Sequence, residues 1–248
     1  PASAIAGAPA AAAAPGGPLS PASSLEQVLD ALDARGDELK DFTAKVSMAE
    51  IDAATGNESK LSGRMWMQRV GPGDARLHVN FDRREANGKP EVQRVQYLLD
   101  KGTLIDRDYE QKLQVERQVL RPGQKMDLLK LGEGPFPLPL GQDKADVHRM
   151  FDVKKLDPAN GDPPGTIHVQ LVPKEGTQFQ DKFATIDFWV DPATRMPVRI
   201  VTQDRNGTTT KQTELQEVRV NANLTDAEFA MPPIDETNWR IRRQPFED

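Results

Sequence analysis

The sequence predicts a mainly β protein (α+β) built on one curved antiparallel sheet of about ten strands. From Phe42 onward, apolar and polar residues alternate with a period of two, which is typical of strands that bury one face. The dipeptides Asn87-Gly88 and Asn206-Gly207 favour tight hairpin turns between strands. Because no helical pattern separates most successive segments, we expect antiparallel pairing, with one apolar face and one face in water.

The clearest helical pattern precedes the strands. Apolar residues recur there at i, i+3, i+4 and i+7, which predicts an amphipathic helix. Ser23 and Glu26 have the spacing of a capping box at its start, and Gly36 is the predicted stop. The apolar face of this helix consists of Leu25, Val28, Leu29 and Leu32.

The two ends of the chain differ in composition from its centre. Residues 1–24 contain only Ala, Pro, Gly and Ser apart from Ile5 and Leu19, which predicts a flexible linker. This linker is either a tether that follows a removed export signal or a lipid-modified residue, or a remnant without a role. Residues 25–237 are the predicted folded domain and residues 238–248 a carboxy-terminal tail. The tail carries three arginines that are either solvated or face an anionic partner, namely Arg240, Arg242 and Arg243.

One internal region departs from the strand pattern. Met126–Leu131 predicts a short amphipathic helix, Gly132–Leu140 is stiffened by prolines, and Asp143–Met150 predicts one or two further helical turns. So many apolar side chains must lie on the apolar face of the sheet, where this region would form a lid. The lid candidates are Met126, Leu128, Leu129, Leu131, Phe136, Leu138 and Leu140.

A single curled layer of strands has more apolar face than two short helices can cover. The remaining apolar face is expected to line a groove or cavity, the usual kind of ligand site. Met65 and Met67 would adapt to flexible acyl chains, although ordinary filling of a core is the alternative. The candidates for this lipid cavity are Phe42, Val46, Met48, Met65, Met67, Leu77, Val79, Phe81, Leu113, Val115, Ile186 and Phe188.

Composition and motifs argue against several functional classes. The chain has no cysteine, which excludes disulfides, thiol catalysis and thiolate metal sites. A net charge of -6 without a basic run argues against nucleic-acid binding, and no apolar stretch approaches the roughly 18 residues of a membrane span. Since no HExxH, GxSxG, Walker or GxGxxG motif is present, we expect no enzymatic activity, no metal and no cofactor.

The isolated histidines and aspartates of the strand region are expected to have structural rather than catalytic roles. His78 and His168 fall on the polar side of their strands and are expected to be solvated. Asp106 and Asp108 are expected to lie around a tight turn, where an aspartate accepts hydrogen bonds from its own backbone.

The order of these segments resembles the LolA-type outer-membrane lipoprotein carrier superfamily. After the helix come segments similar to the family's first strand, its Gly-containing strand and its Asp-Gly turn with a trailing aromatic. Ile186–Ile200 is similar to the family's strand, Asp-Pro turn and Pro-led return strand. The segments that carry the resemblance are Phe42–Ile51, Leu61–Arg69, Tyr97–Tyr109, Ile186–Ile200 and Phe229–Pro233.

The resemblance implies a fold and a site. The fold is an unclosed antiparallel β-barrel of ten or eleven strands, with helices that cap its hydrophobic concave face. Carriers of this type keep an arginine on an early strand that holds the lid shut through hydrogen bonds, and Arg64 and Arg69 are the candidates by position.

The expected function follows from the same resemblance. It is a binding protein of the periplasm or cell envelope that shields the acyl chains of a lipid or lipoprotein, as a carrier or chaperone. Such a protein is exported, and its signal segment is absent from this chain. The alternative is a sensory or protein-interaction domain of the same fold, with an envelope protein as partner and no lipid transport. A hydrolase with a dispersed site is a third possibility, for which no specific residue speaks.

Overall fold

The computed structural model describes residues 18–71, 74–120, 124 and 143–246. Within these ranges lie two α-helices, α1 (Leu25–Glu38) and α2 (Lys144–Met150), and one 3-10 turn, Asp226–Phe229. All strands belong to one sheet. They are β1 (Asp41–Asp52), β2 (Glu58–Gly71), β3 (Asp74–Ala86), β4 (Lys89–Glu91), β5 (Val95–Asp100), β6 (Thr103–Asp108), β7 (Leu113–Gln118), β8 (Phe151–Leu156), β9 (Ile167–Pro173), β10 (Phe183–Asp191), β11 (Met196–Asp204), β12 (Thr209–Val220) and β13 (Arg240–Gln244).

The sheet is an open layer. Its strand order is β13-β7-β6-β5-β3-β2-β1-β12-β11-β10-β9-β8, with β4 beside β3. Neighbours pair antiparallel except β13 and β7, which are parallel. Among the described strands β8 and β13 each have one neighbour, so the sheet is not closed into a barrel. The predicted fold class is confirmed, and the described residues form thirteen strands rather than ten or eleven.

Helix α1 begins and ends slightly later than predicted. Its capping box is formed by Ser24 and Gln27, each one residue beyond the predicted pair. Gly36 is buried in the last turn, and the helix continues to Glu38. Because Gly36 does not adopt the left-handed conformation through which a glycine ends a helix, the predicted stop is wrong.

The predicted turns and the second helix are confirmed. Asn87 and Gly88 have φ values of 50° and 74°, as a tight hairpin turn between β3 and β4 requires. Gly207 has a φ of 69° between β11 and β12. Asp143 caps α2 by accepting hydrogen bonds from the backbone N–H groups of Ala145 and Asp146, at 2.7 and 3.2 Å.

One face of the sheet, called here the inner face, carries the core. Phe42 pairs with Met67, and Met67 pairs with Leu77, so these three side chains stand side by side on that face. The same core includes apolar side chains from both helices and from both halves of the sheet. The helical contributors are Val28, Leu29, Leu32 and Val147.

The opposite or outer face is partly covered by the end of the chain. Residues 222–246, called here the strap, cross β2, β3 and β6 and then join the edge of the sheet as β13. Gln68 donates to the Leu224 carbonyl at 2.8 Å, and Arg107 donates to the Pro232 carbonyl at 2.7 Å. The Arg76 guanidinium lies 4.1 Å from the centre of the Phe229 ring. The strap therefore shields part of the outer face from water.

The strap overturns the prediction that His78 is solvated. His78 is 5% exposed, because the 3-10 turn lies over it and the Trp66 ring stacks beside it at 5.2 Å. Its Nδ1 lies 2.5 Å from the Glu228 carbonyl, which can only accept, so Nδ1 carries the proton. Its Nε2 is buried without a hydrogen-bond partner.

The prediction for His168 is wrong for a related reason. Its ring stacks on Trp189 with centroids 4.1 Å apart, and its Nε2 lies 2.9 Å from Asp187. The side chain is on the polar face, as its strand phase indicates, but only 12% of it is exposed. A neighbouring tryptophan and carboxylate replace water there.

We predict that the contact between the strap and β3 weakens in acid. Burial, and secondarily Arg107, lower the pKa of His78 below its ordinary value of 6.5, although the Glu228 carbonyl opposes this. The unfolded chain therefore takes up this proton first, and the free energy of unfolding falls as the pH drops through the ordinary histidine range. Between about pH 7.5 and about pH 5, His78→Gln should lose less stability than the unchanged protein in urea denaturation.

A substitution that removes a strap contact without removing a titratable group supplies the control. Gln68→Met removes the hydrogen bond to the Leu224 carbonyl and should leave the loss of stability between the two pH values as large as in the unchanged protein. An equal loss in the His78→Gln variant and in the unchanged protein would show that His78 does not link the strap to pH.

Candidate functional site

The residues predicted to line a lipid cavity all lie on the inner face. Ten of the twelve are at most 8% exposed, and the other two, Met48 and Leu113, are half-buried. The buried ten are Phe42, Val46, Met65, Met67, Leu77, Val79, Phe81, Val115, Ile186 and Phe188.

The burial of these side chains shows that the inner face is closed rather than an open cavity. Side chains that line an open cavity keep surface that a water molecule can reach, whereas Phe42, Met67 and Val79 keep none. These side chains therefore pack against their neighbours like an ordinary core. A ligand would have no room beside them in this conformation unless it displaced the segments that cover them.

Helix α1 is one part of that cover. Its apolar residues Val28, Leu29 and Leu32 are at most 5% exposed and belong to the core. At its C-terminal end, only Leu39 and Lys40 separate it from β1, so that end is fixed to the sheet by the chain itself.

Polar contacts fix the N-terminal half of α1 to α2; we call this group of contacts the latch. Lys144 of α2 lies 3.3 Å from Glu26 and 2.5 Å from Asp30, and His148 lies 3.1 Å from Glu26. The hydrogen bond to Asp30 raises the pKa of Lys144 above its ordinary value. All four side chains reach solvent, so the latch consists of contacts that water and salt weaken.

The approach to α1 is also attached to the sheet. Lys155 of β8 donates to the carbonyls of Pro21 and Ser23, both at 2.6 Å. The Leu19 N–H donates to the Pro192 carbonyl at 3.4 Å, and the Leu19 side chain packs against the core. Part of the predicted linker, from residue 18 onward, thus lies against the domain.

A second set of polar contacts fixes the other end of α1. Arg195, in the turn between β10 and β11, donates to Glu38 at 2.5 Å. This hydrogen bond lowers the pKa of Glu38 below its ordinary value. Arg35, on the same turn of the helix, lies 3.4 Å from Glu38.

One end of the inner face is polar. Asp106 of β6 pairs with Tyr97 on one side and with Val115 on the other, so its carboxylate lies on the inner face, 3.7 Å from Arg117. Burial raises the pKa of Asp106, and burial also raises the pKa of Tyr97.

The alternation of apolar residues does not predict this polar end. Asp106 and Asp108 are both expected around a turn, but only Asp108 has that role, accepting a hydrogen bond from the Gln111 N–H at 2.9 Å. The signal that identifies Asp106 is its strand phase, because it alternates in step with the inward-facing Leu104.

The two arginine candidates lie on opposite faces. Arg69 follows Met65 and Met67 in the inward phase of β2, and its Nε is buried without a hydrogen-bond partner. Arg64 is in the opposite phase and lines a groove on the outer face. A role in holding a lid over the inner face is therefore open to Arg69, and the placement of Arg64 does not support it.

The predicted lid lies outside the described residues. Its candidates are Met126, Leu128, Leu129, Leu131, Phe136, Leu138 and Leu140. Their role in covering the inner face stays a prediction.

The described ranges contain neither a metal-binding cluster nor a helix that could span a membrane. No three histidine or acidic side chains there come together in a way that would bind a metal ion. Nor is any helix in that part of the chain long and apolar enough to cross a membrane.

Solved structures similar to this chain include proteins of the resembled superfamily. An uncharacterised conserved protein from Thermus thermophilus shares 15% identity, with a TM-score of 0.49 over 90% of this chain and 100% of that one. A LolA superfamily protein from Nitrosomonas europaea shares 11% identity, with a TM-score of 0.31 over 82% of this chain and 97% of its own.

A third similar structure is MucB, which has also been solved with MucA from Pseudomonas aeruginosa. It shares 11% identity, with a TM-score of 0.47 over 84% of this chain, which spans 62% of MucB. No family model and no curated protein matches the chain. The superfamily named from the sequence pattern is thus among the structural neighbours, while the fold is established by the strand order and burial of this chain.

We predict that the inner face behaves as a closed core when it is truncated. Phe42→Ala should lower the free energy of unfolding by about 3–5 kcal/mol, because the cavity left behind stays unfilled. Met48→Ala, at a half-buried position of the same strand, should cost clearly less. Denaturant unfolding of both variants measures the difference, and equal small losses would show that Phe42 faces open space.

Proposed function

We propose that this protein is a non-enzymatic binding protein of the periplasm or cell envelope that shields acyl chains of a lipid or lipoprotein, as a carrier or chaperone. The observation that carries this proposal is the inner face of the sheet. It is a continuous apolar surface on a single layer of strands, and α1, one of its covers, is fastened to α2 by exposed polar contacts.

The energetics permit an exchange of α1 for an acyl chain. Burying Val28, Leu29 and Leu32 contributes about 1.5–3 kcal/mol for each side chain. Each buried methylene of an acyl chain contributes about 0.8 kcal/mol, so a chain of about twelve carbons replaces the loss. The latch adds little to the cost because its charges regain water when they separate.

The absence of enzymatic activity is part of the proposal. At the polar end of the inner face, the charged groups are Asp106, Asp108 and Arg117, and their contacts are with one another or with glutamine side chains and backbone rather than with a serine or threonine hydroxyl. Such groups suit the polar end of an amphiphile better than bond cleavage. Location in the envelope is supported by the sequence resemblance.

A protein-interaction domain is the second candidate. The observation that favours it is the closed state of the inner face, where Phe42, Met67 and Val79 have no reachable surface. If that state is permanent, the inner face is only a core, and an envelope protein would bind elsewhere. The two candidates differ in whether α1 must move.

A cross-link between α1 and α2 tests the proposal. The chain has no cysteine, so Glu26→Cys with Lys144→Cys introduces a unique pair at the latch, which a short bismaleimide can bridge. We expect the unbridged double variant to bind a fluorescent fatty acid, and the bridged one to bind it at least tenfold more weakly because α1 cannot leave.

A matched pair controls for the chemistry of cross-linking. Arg84 and Glu91 form an ion pair at 3.3 Å in the hairpin of β3 and β4, away from α1. Bridging Arg84→Cys with Glu91→Cys should leave binding unchanged. Equal binding before and after bridging at the latch would contradict movement of α1. If the unchanged protein binds no fatty acid and carries no lipid when purified from cells, the interaction domain is favoured instead.

A further inference from the structure

A groove of about 620 Å³ lies on the outer face, opposite the core. Its floor is formed by β12, β1, β2 and β3, at the middle of the sheet. It is separate from the surface on which the proposed function depends, because the backbone of the sheet lies between them.

A row of polar side chains crosses this groove. Gln216 pairs with Lys45, Lys45 pairs with Arg64, and Arg64 pairs with Asn80. Residues paired in this way stand side by side on one face. The row therefore presents an amide, an ammonium, a guanidinium and a second amide in succession.

The two cations of the row, Lys45 and Arg64, differ in whether a carboxylate contacts them. Like charges directly opposite each other on neighbouring strands are destabilising unless something compensates them. Lys45 has such a partner, since its Nζ lies 2.5 Å from Glu217. Arg64 makes no direct hydrogen bond or ion pair with a side chain in the part of the chain that the structure describes. Its charge acts on Glu217 from a greater distance, where Lys45 first and Arg64 in addition lower the pKa of that carboxyl. No carboxylate touches the guanidinium, so it can bind an anion that enters the groove.

Asn80 provides a second sign of an external partner. Its Oδ1 is buried and has no hydrogen-bond partner. A buried acceptor without a donor is destabilising, and a ligand hydroxyl or N–H that reaches it from the groove would supply the missing hydrogen bond. Asp82 lies two residues further along the same face of β3 and also lines the groove.

The shape of the groove is built into the backbone. β-bulges border it on both sides, between β1 and β12 near Lys45 and between β2 and β3 at Gly63. Glu217 adopts a φ of 52° at the first bulge, and a Cβ on Gly63 would lie 1.9 Å from the Asn80 carbonyl oxygen at the second. Bulges of this kind re-aim side chains and are frequent next to binding sites.

We propose that this groove is a binding site for an anionic saccharide. Arg64 and Lys45 meet the carboxylate, and Asn80, Asp82 and Gln216 bind ring hydroxyls. Trp66, which is half-buried in the groove with His78 stacked on one side, supplies the aromatic surface beside which a pyranose ring lies. A nucleic acid requires a more uniformly basic surface than one that also contains Asp82 and Glu214.

Calorimetric titration with tetragalacturonate tests the proposal, with uncharged maltotetraose as the matched ligand. We expect tetragalacturonate to bind at least tenfold more tightly than maltotetraose. Arg64→Gln should weaken binding of tetragalacturonate at least tenfold. The control is Arg205→Gln, which removes one exposed arginine from the turn between β11 and β12 and should leave binding unchanged.

A second measurement needs no variant that alters the charge of the groove. The chain has three tryptophans, so its indole N–H groups give three signals in a nitrogen-15 spectrum, and Trp66→Phe identifies one of them. The Trp66 signal should shift on titration with tetragalacturonate, while the signals of Trp189 and Trp239 stay in place.

Three results would overturn the proposal. They are the absence of tetragalacturonate binding, equal binding of maltotetraose, and binding of inorganic phosphate as tight as that of tetragalacturonate. The last would show a site for anions that does not recognise a sugar. Because the groove lies on the outer face, any of these results leaves the fatty-acid experiment on the inner face unaffected.

Discussion

The structure depends on the need to cover the apolar inner face of a single-layer sheet. A sandwich solves this problem with a second sheet, whose strands bury the first along its whole width. Here α1 and α2 contribute only a few apolar side chains, among them Val28, Leu32 and Val147. A cover built from short elements detaches at a lower cost than a second sheet does, and the proposed exchange of α1 for an acyl chain depends on this difference.

The outer face is organised by a different constraint. Its side chains are polar, so residues 222–246 bind to it through hydrogen bonds and stacking rather than through a large apolar interface. The strap also pairs with β7 as a parallel strand, and thereby occupies an edge that otherwise offers unpaired backbone groups to other chains. The groove around Arg64 belongs to the part of the outer face that the strap does not cross.

Much of the fold could be predicted from sequence because it depends on local patterns. Alternation identified the inward phase of β1, β3 and β10, and Asn87-Gly88 identified a hairpin. Contacts between segments that are far apart in the sequence could not be predicted, because no local residue pattern indicates them. The burial of His78 requires a segment about 150 residues away, and Arg240–Gln244 form a strand only because β7 offers an edge. At the candidate site, the alternation predicts which residues face inward. It does not predict that they are fully packed, because that depends on how α1 and α2 fit against the sheet.

The proposed function requires α1 to leave the inner face when an acyl chain binds. Hydrogen exchange in the presence of laurate below its critical micelle concentration measures this movement. We expect the backbone amides of α1 to lose protection as laurate binds, while those of β1 and β10 keep theirs. Protection of α1 that stays unchanged or increases at saturating laurate would contradict it.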